Sequence, residues 1–224
     1  MNAKSGLVGT ILLALLAATA FADTPATQPD TQPDTQPTTQ AATEPAEPRD
    51  ALRDFVAAIY DGRPDDVAPL CQADDALSKS VVDDYTHIAA AVATLRKNIT
   101  DKFGPDEASN FSPALASPDD VEGLDQAIHG DHAELHGDVD VDMIRVNGQW
   151  KVDVGSLIRG GALPPDPDAA LEQGAKSILR TAADVTAGKL VTVANVEDAL
   201  RARLESIPST EPTTDPATEP STQP

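Results

Sequence analysis

Three histidines and a glutamate lie within eight residues and could bind a metal. His129, His132, Glu134 and His136 supply imidazole nitrogens and a carboxylate, the ligands that Zn²⁺ and other borderline divalent ions accept. If Gly130-Asp131 forms a two-residue turn, His129 and His132 lie opposite each other, with Cβ atoms about 4.5–5.5 Å apart. These four residues are the candidate metal set, with Zn²⁺ as the candidate cofactor. The competing interpretation is a solvated strand face whose histidines only dilute a row of acids.

A further histidine and the single cysteine could take part in catalysis, but neither is assigned a catalytic role. His87 follows Asp83 by one turn of a predicted helix, but no third group completes a catalytic arrangement, so a solvated helix face is predicted. Cys71 is the only cysteine and is followed by Asp74 and Asp75, whose charges would raise the pKa of a thiol. Cys71 is therefore predicted to be a small buried residue.

The region around the histidines is predicted to be a three-stranded meander over residues 124–158. Asn147-Gly148 is a strong hairpin signal, because both residues tolerate the positive φ of a tight turn. From 132 to 143 polar and apolar residues alternate strictly, which predicts one long strand with the histidines on its polar face. A helix would also align the histidines, but Gly130 and Gly137 each cost a helix about 1 kcal/mol. The predicted apolar face comprises Ala133, Leu135, Val139, Val141, Met143, Trp150, Val152 and Val154.

Helices are predicted on both sides of this meander. Residues 49–61 form the first helix, followed by a long helix whose apolar stripe runs from Leu77 to Phe103 and ends at Gly104-Pro105. A single long stripe favours a helix laid across a sheet over a coiled-coil seam. Two further helices, over 168–187 and from Asn195 onward, could not bury their apolar stripes alone, so they should dock on the main unit or serve a partner.

The chain divides into five segments by composition. Residues 1–22 resemble a secretory signal, with Lys4, an apolar stretch and a small-x-small site before Asp23. Residues 23–47 and 208–224 repeat Thr-x-Pro phrases that cannot build a helix or a sheet, and disordered tails are predicted there. Residues 48–160 are predicted to form an α+β domain, and residues 161–207 the helical pair docked on it. An exported protein, periplasmic or secreted, is the expectation.

The charge balance limits the partners. The formal net charge is −21, with 37 acidic and 16 basic residues. Such a chain repels phosphate backbones and anionic membrane surfaces, so nucleic acid is not expected as a partner. After the signal no second apolar run is long enough to span a bilayer. Basic partners, divalent cations and a homodimer through the sheet stay open.

The order of elements resembles the cystatin-like cone fold, the superfamily of nuclear transport factor 2, ketosteroid isomerase and the SnoaL-type cyclases. The resemblance covers about residues 50–158 and is carried by the predicted long helix and three segments: Tyr60-Asp-Gly-Arg-Pro-Asp-Asp-Val67, Ile128-His-Gly-Asp-His-Ala133 and Arg145-Val-Asn-Gly-Gln-Trp-Lys-Val-Asp153. It implies a curved antiparallel sheet whose apolar face lines a pocket. Because that face carries only Arg145 as an ionisable group, the resemblance transfers no catalytic residue.

Three functions follow as expectations. The first is a non-catalytic exported domain with a binding or envelope-associated role. The second is a SnoaL-type binder of small molecules or pocket enzyme, which would need polar groups pointing into a pocket. The third is a weak metal-binding surface at the histidines.

Overall fold

The computed structural model describes residues 47–137 and 139–207; the predicted signal and, apart from Glu47, the predicted tails lie outside them. Its α+β class confirms the sequence prediction. Seven α-helices and five strands occur in the described ranges, with 3-10 turns at Ala68–Leu70 and Pro118–Val121. The helices are α1 (Pro48–Asp61), α2 (Pro64–Val67), α3 (Ala76–Phe103), α4 (Pro105–Ser109), α5 (Val154–Arg159), α6 (Pro167–Thr186) and α7 (Val193–Glu205). The strands are β1 (Cys71–Gln72), β2 (Asp125–His129), β3 (His132–His136), β4 (Val141–Val146) and β5 (Gln149–Asp153).

The first helix begins and ends where the local sequence predicts. Pro48 occupies its first turn, and Gly62 closes it in a left-handed conformation at φ +74°. A Cβ at Gly62 would lie 2.5 Å from the backbone nitrogen of Ala93. Glycine at this position thus allows the end of α1 to approach α3 closely.

Both predicted hairpins are confirmed. Asn147 and Gly148 have φ values of 53° and 81°, and the strands on either side pair Arg145 with Trp150. The other turn pairs His129 with His132. The strand order is β1-β5-β4-β3-β2, so the sheet is a meander with one added edge strand.

The prediction of one long strand from residue 132 is wrong. The chain reverses between His136 and Val141, and β3 and β4 are antiparallel neighbours that pair Leu135 with Val141. The reversal follows from a local run of glycine and aspartate, residues that favour turns. Val154 also leaves the predicted strand, because Asp153 accepts a hydrogen bond from the backbone N–H of Ser156 and caps α5.

The sheet is mixed, which corrects the antiparallel prediction. Strand β1 pairs in parallel with β5, placing Cys71 beside Val152. A strand of two residues has no periodicity that a sequence pattern could reveal. The sequence therefore contains no indication of this edge strand.

The apolar sheet face is buried as predicted, and Trp150 is only 3% exposed. Helix α1 lies closest to this sheet, over β5 and β3. The rings of Phe55 and Tyr85 meet edge to face, with centroids 5.4 Å apart, and join α1 to α3. Leu77, predicted to begin the buried stripe, is exposed.

The main neighbour of α3 is α6, which corrects the expectation that α3 is a lone helix across the sheet. The two helices run parallel: Asn98 donates to the carbonyl of Ala182 at 3.1 Å, and Lys102 donates to that of Val185 at 2.8 Å. Nearer the N-terminal ends of the same two helices, Asp84 of α3 lies near Asp168 of α6. Helix α7 packs on α6, and buried residues from all these elements form one core.

Candidate functional site

The four predicted metal ligands share the exposed face of β2 and β3. His129 lies directly opposite His132. His136 places its Nδ1 3.1 Å from Asp140 Oδ1 and its Nε2 3.6 Å from Glu134 Oε2. Across residues 47–137 and 139–207, no three His, Cys, Asp or Glu side chains are grouped so as to hold one metal ion. The structure thus brings the four residues to one face, and a Zn²⁺ site there stays a prediction.

Cys71 is buried, as predicted, and burial raises the pKa of its thiol to about 12. Nearby Lys151 opposes this effect only in part. Burial also raises the pKa of the Tyr85 phenol, with a smaller contribution from Cys71. Both groups therefore stay protonated near neutral pH and do not form a nucleophile with a base.

Three buried polar groups, two on the inner sheet face and one on α3, bear on the pocket that the resemblance to the cone fold implies. The guanidinium carbon of Arg145 lies 4.5 Å from the centre of the Trp150 ring. Arg145 Nε, Trp150 Nε1 and the Tyr85 hydroxyl are buried and have no hydrogen-bond partner among the described residues. They can donate hydrogen bonds, but they include no carboxylate or imidazole that could act as a general base.

A groove of about 320 Å³ runs between α3 and α6. Ala91 and Ala175 are buried, whereas Ala90, Thr94 and Leu179 are exposed along the groove, the last by 46%. At its N-terminal end the lining becomes charged, with Asp84 and His87 from α3 and Glu172 and Lys176 from α6. The groove therefore combines an apolar surface with an acidic end.

The acidic end is produced by the parallel packing of the two helices. Asp84 lies two turns into α3, and Asp168 lies in the first turn of α6. One oxygen of each, Asp84 Oδ2 and Asp168 Oδ1, is buried without a hydrogen-bond partner in the described part of the chain. Burial, followed by the charge of Asp168, raises the pKa of Asp84.

Two flanking basic side chains compensate these carboxylates only in part. His87 Nδ1 lies 3.9 Å from Asp84 Oδ1, but the His87 side chain is 72% exposed. Lys176 is 2.7 Å from Glu172, an exposed pair on α6. A partly buried carboxylate such as Asp84, with so little compensation, favours either a bound proton or a nearby cation.

The chemistry of the groove suits an organic cation. An ammonium or guanidinium group could donate charge-assisted hydrogen bonds to the carboxylate of Asp84, while its alkyl stem covers Ala91 and Ala175. The groove presents no nucleophile paired with a base.

Sequence reasoning did not find this site. It connected His87 with Asp83, whereas the structure brings His87 toward Asp84. Asp84 and Asp168 are distant in the chain, and no short motif joins them. The one signal in the sequence was the apolar stripe on each of α3 and α6. If these two stripes pack against each other in parallel, Asp84 and Asp168 lie close together.

Comparison with family models, with curated proteins and with solved structures returned no match for this chain. Within the described ranges, no helix has the length and apolar character needed to cross a membrane.

Proposed function

We propose that this chain is an exported, non-catalytic binding domain whose groove between α3 and α6 receives a cationic group of its partner. The observation that carries this proposal is Asp84 in the groove lining, which keeps a buried oxygen without a partner in the described chain and lies near the charge of Asp168. The net charge of −21 adds long-range attraction for a basic partner. The role is binding because the groove offers a charged end and an apolar surface but no catalytic pair.

The proposal is tested with cadaverine, an alkyl chain with an ammonium group at each end. Backbone amide NMR signals are followed during a titration at low salt, with glutarate as the anionic counterpart. We expect cadaverine to shift signals around Asp84, Ala91 and Glu172, and glutarate to leave them unchanged.

The control separates the groove from general acidity. In an Asp84→Asn/Asp168→Asn variant the cadaverine shifts at the groove should disappear. In an Asp83→Asn/Asp101→Asn variant, which removes the same charge from exposed positions on α3, they should persist. Shifts spread over all acidic surfaces, or equal shifts in both variants, would refute the groove as the binding site.

A second candidate function is supported by the inner sheet face. If residues 50–158 form a cystatin-like cone, Tyr85, Trp150 and Arg145 would present their unpartnered donors to a small molecule with acceptor groups. A Trp150 fluorescence titration with aromatic carboxylates tests this alternative. Saturable quenching that is lost in Arg145→Met would favour the cone interior over the groove.

A further inference from the structure

The groove lies between two parallel helices, so its shape suits a third helix packed against both. Its α3 wall runs from Asp84 through His87 and Ala91 to Thr94, in steps of three and four residues. Its α6 wall includes Glu172, Ala175 and Leu179 with the same periodicity. At 1.5 Å per residue the α3 wall is about 15 Å long, roughly three helical turns.

The opposite side of α6 is already occupied. Arg203 of α7 donates to Thr181 and to Asp184, which lie on the side of α6 away from the groove. The groove side instead keeps Leu179 46% exposed beside Ala175. Small residues between two helices let a third backbone approach, and an exposed leucine gives it apolar surface to cover.

We infer that the groove receives a basic amphipathic α-helix of a partner protein. This inference rests on the proposed function and specifies its partner. The apolar stripe of the helix would cover Ala175 and Leu179, and a lysine or arginine at one end would reach Asp84. Charge complementarity selects a basic helix over an acidic one. Two carboxylates, those of Asp84 and Glu172, line the charged end, and the charge of Asp168 adds to that of Asp84; one lysine and one histidine oppose them.

The test uses three synthetic peptides of about twelve residues, the length of three turns. One places leucine and alanine on one helical face and lysine on the other; the second scrambles the same residues; the third replaces lysine by glutamate. Binding to the full chain is measured by fluorescence anisotropy and helix formation by circular dichroism. We expect the amphipathic lysine peptide to bind with a Kd at least about tenfold lower than its scrambled form and to gain helical signal.

A matched pair of variants locates the binding. Thr94 and Thr100 are both exposed on α3, and both hydroxyls donate to the carbonyl four residues earlier. Thr94→Tyr fills the groove and should raise the Kd of the amphipathic peptide about tenfold, whereas Thr100→Tyr, outside the groove, should not change it.

The outcomes distinguish the two proposals. Equal binding of both lysine peptides without helical gain would overturn the helix inference and leave cation binding intact. Preferred binding of the glutamate peptide, or equal effects of both tyrosine variants, would also overturn it. If no lysine peptide binds and cadaverine produces no shift at Asp84, the proposed function fails as well.

Discussion

The two ends of the α3–α6 interface are built differently. At the C-terminal end, Asn98 donates to the carbonyl of Ala182, and Lys102 donates to those of Val185 and Leu190. At the N-terminal end, Asp84 and Asp168 each keep a buried oxygen without a partner in the described chain. The same helix pair therefore has one end whose polar groups are satisfied and one end that retains capacity for a cation.

Two aspartates show what makes the difference. The side chains of Asp84 and Asp184 are almost equally exposed, at 16% and 17%. Hydrogen bonds from Lys189 and then Arg203 lower the pKa of Asp184, whereas burial and the charge of Asp168 raise that of Asp84. Because the side-chain exposure is nearly the same, the hydrogen bonds that Asp184 accepts from Lys189 and Arg203 distinguish it from Asp84, whose pKa is raised first by burial.

The largest expected effect concerns the apolar contact between α3 and α6, which joins the two ends of their interface. Ile178 is fully buried, whereas its neighbour Leu179 is 46% exposed on the groove. Ile178→Ala should lower the free energy of unfolding by about 2–5 kcal/mol, as truncation of a buried side chain does. Leu179→Ala should change it by less than about 1 kcal/mol. Urea unfolding followed by Trp150 fluorescence measures both, and equal losses would contradict the orientation of α6.

The satisfied end should weaken when its ion pair is removed. Arg203→Ala leaves Asp184 without one of its two cations, so we expect Tm at pH 7 to fall by about 2–4 °C. Arg201→Ala, an exposed arginine on the same helix, is the control and should leave Tm unchanged. Because the pKa of Asp184 is lowered in the folded state, its carboxylate stabilises the fold at pH values above its ordinary pKa. That stability is lost as the pH falls through the lowered pKa, so the decrease in Tm caused by Arg203→Ala should shrink in strong acid. A penalty independent of pH would argue against the ion pair as its cause.

The unsatisfied end should respond with the opposite sign. A carboxyl whose pKa is raised in the folded state contributes stability below its ordinary pKa of 3.8 and loses it as the pH rises through the raised value. Asp84→Asn should therefore raise Tm by about 2 °C at pH 7 and give no gain at pH 3. Asp83→Asn, on the exposed side of α3, serves as the control. A lower Tm for Asp84→Asn at pH 7 would show that Asp84 has a stabilising partner.

The smallest expected effect concerns the histidine face, the other cluster of polar side chains. Its groups are exposed, and both ring nitrogens of His136 already face carboxylates. We expect Zn²⁺ titration at pH 7.5 to give weak heat that is the same for the native chain and for His129→Ala/His132→Ala. Micromolar binding that the double variant loses would make this face a metal site.

The sheet shows how much a local pattern can predict even when one element is wrong. The sequence predicts one strand where the chain folds back into two, yet the buried face is right. Pairing Leu135 with Val141 leaves odd-numbered residues on the same side of both strands. Alternation shows which side chains share a face of the sheet. It does not reveal a chain reversal that keeps the odd-numbered residues on the same side.

The ends of α1, the C-terminal end of α3 and the two tight turns follow from the sequence by itself, because the conformational preferences of proline, glycine and asparagine act within a few residues. The predicted start of α7 at Asn195 is wrong: Thr192 caps this helix and accepts a hydrogen bond from the backbone N–H of Asn195. The same local alternation determines that Trp150 is buried. Only the tertiary structure decides that β1 joins β5, that α6 lies along α3, and that Asp84 meets Asp168. These contacts join distant segments, and their energies depend on packing the whole core, so no spacing within one segment encodes them. The charged end of the groove is therefore a property of the fold, although each of its residues is visible in the sequence.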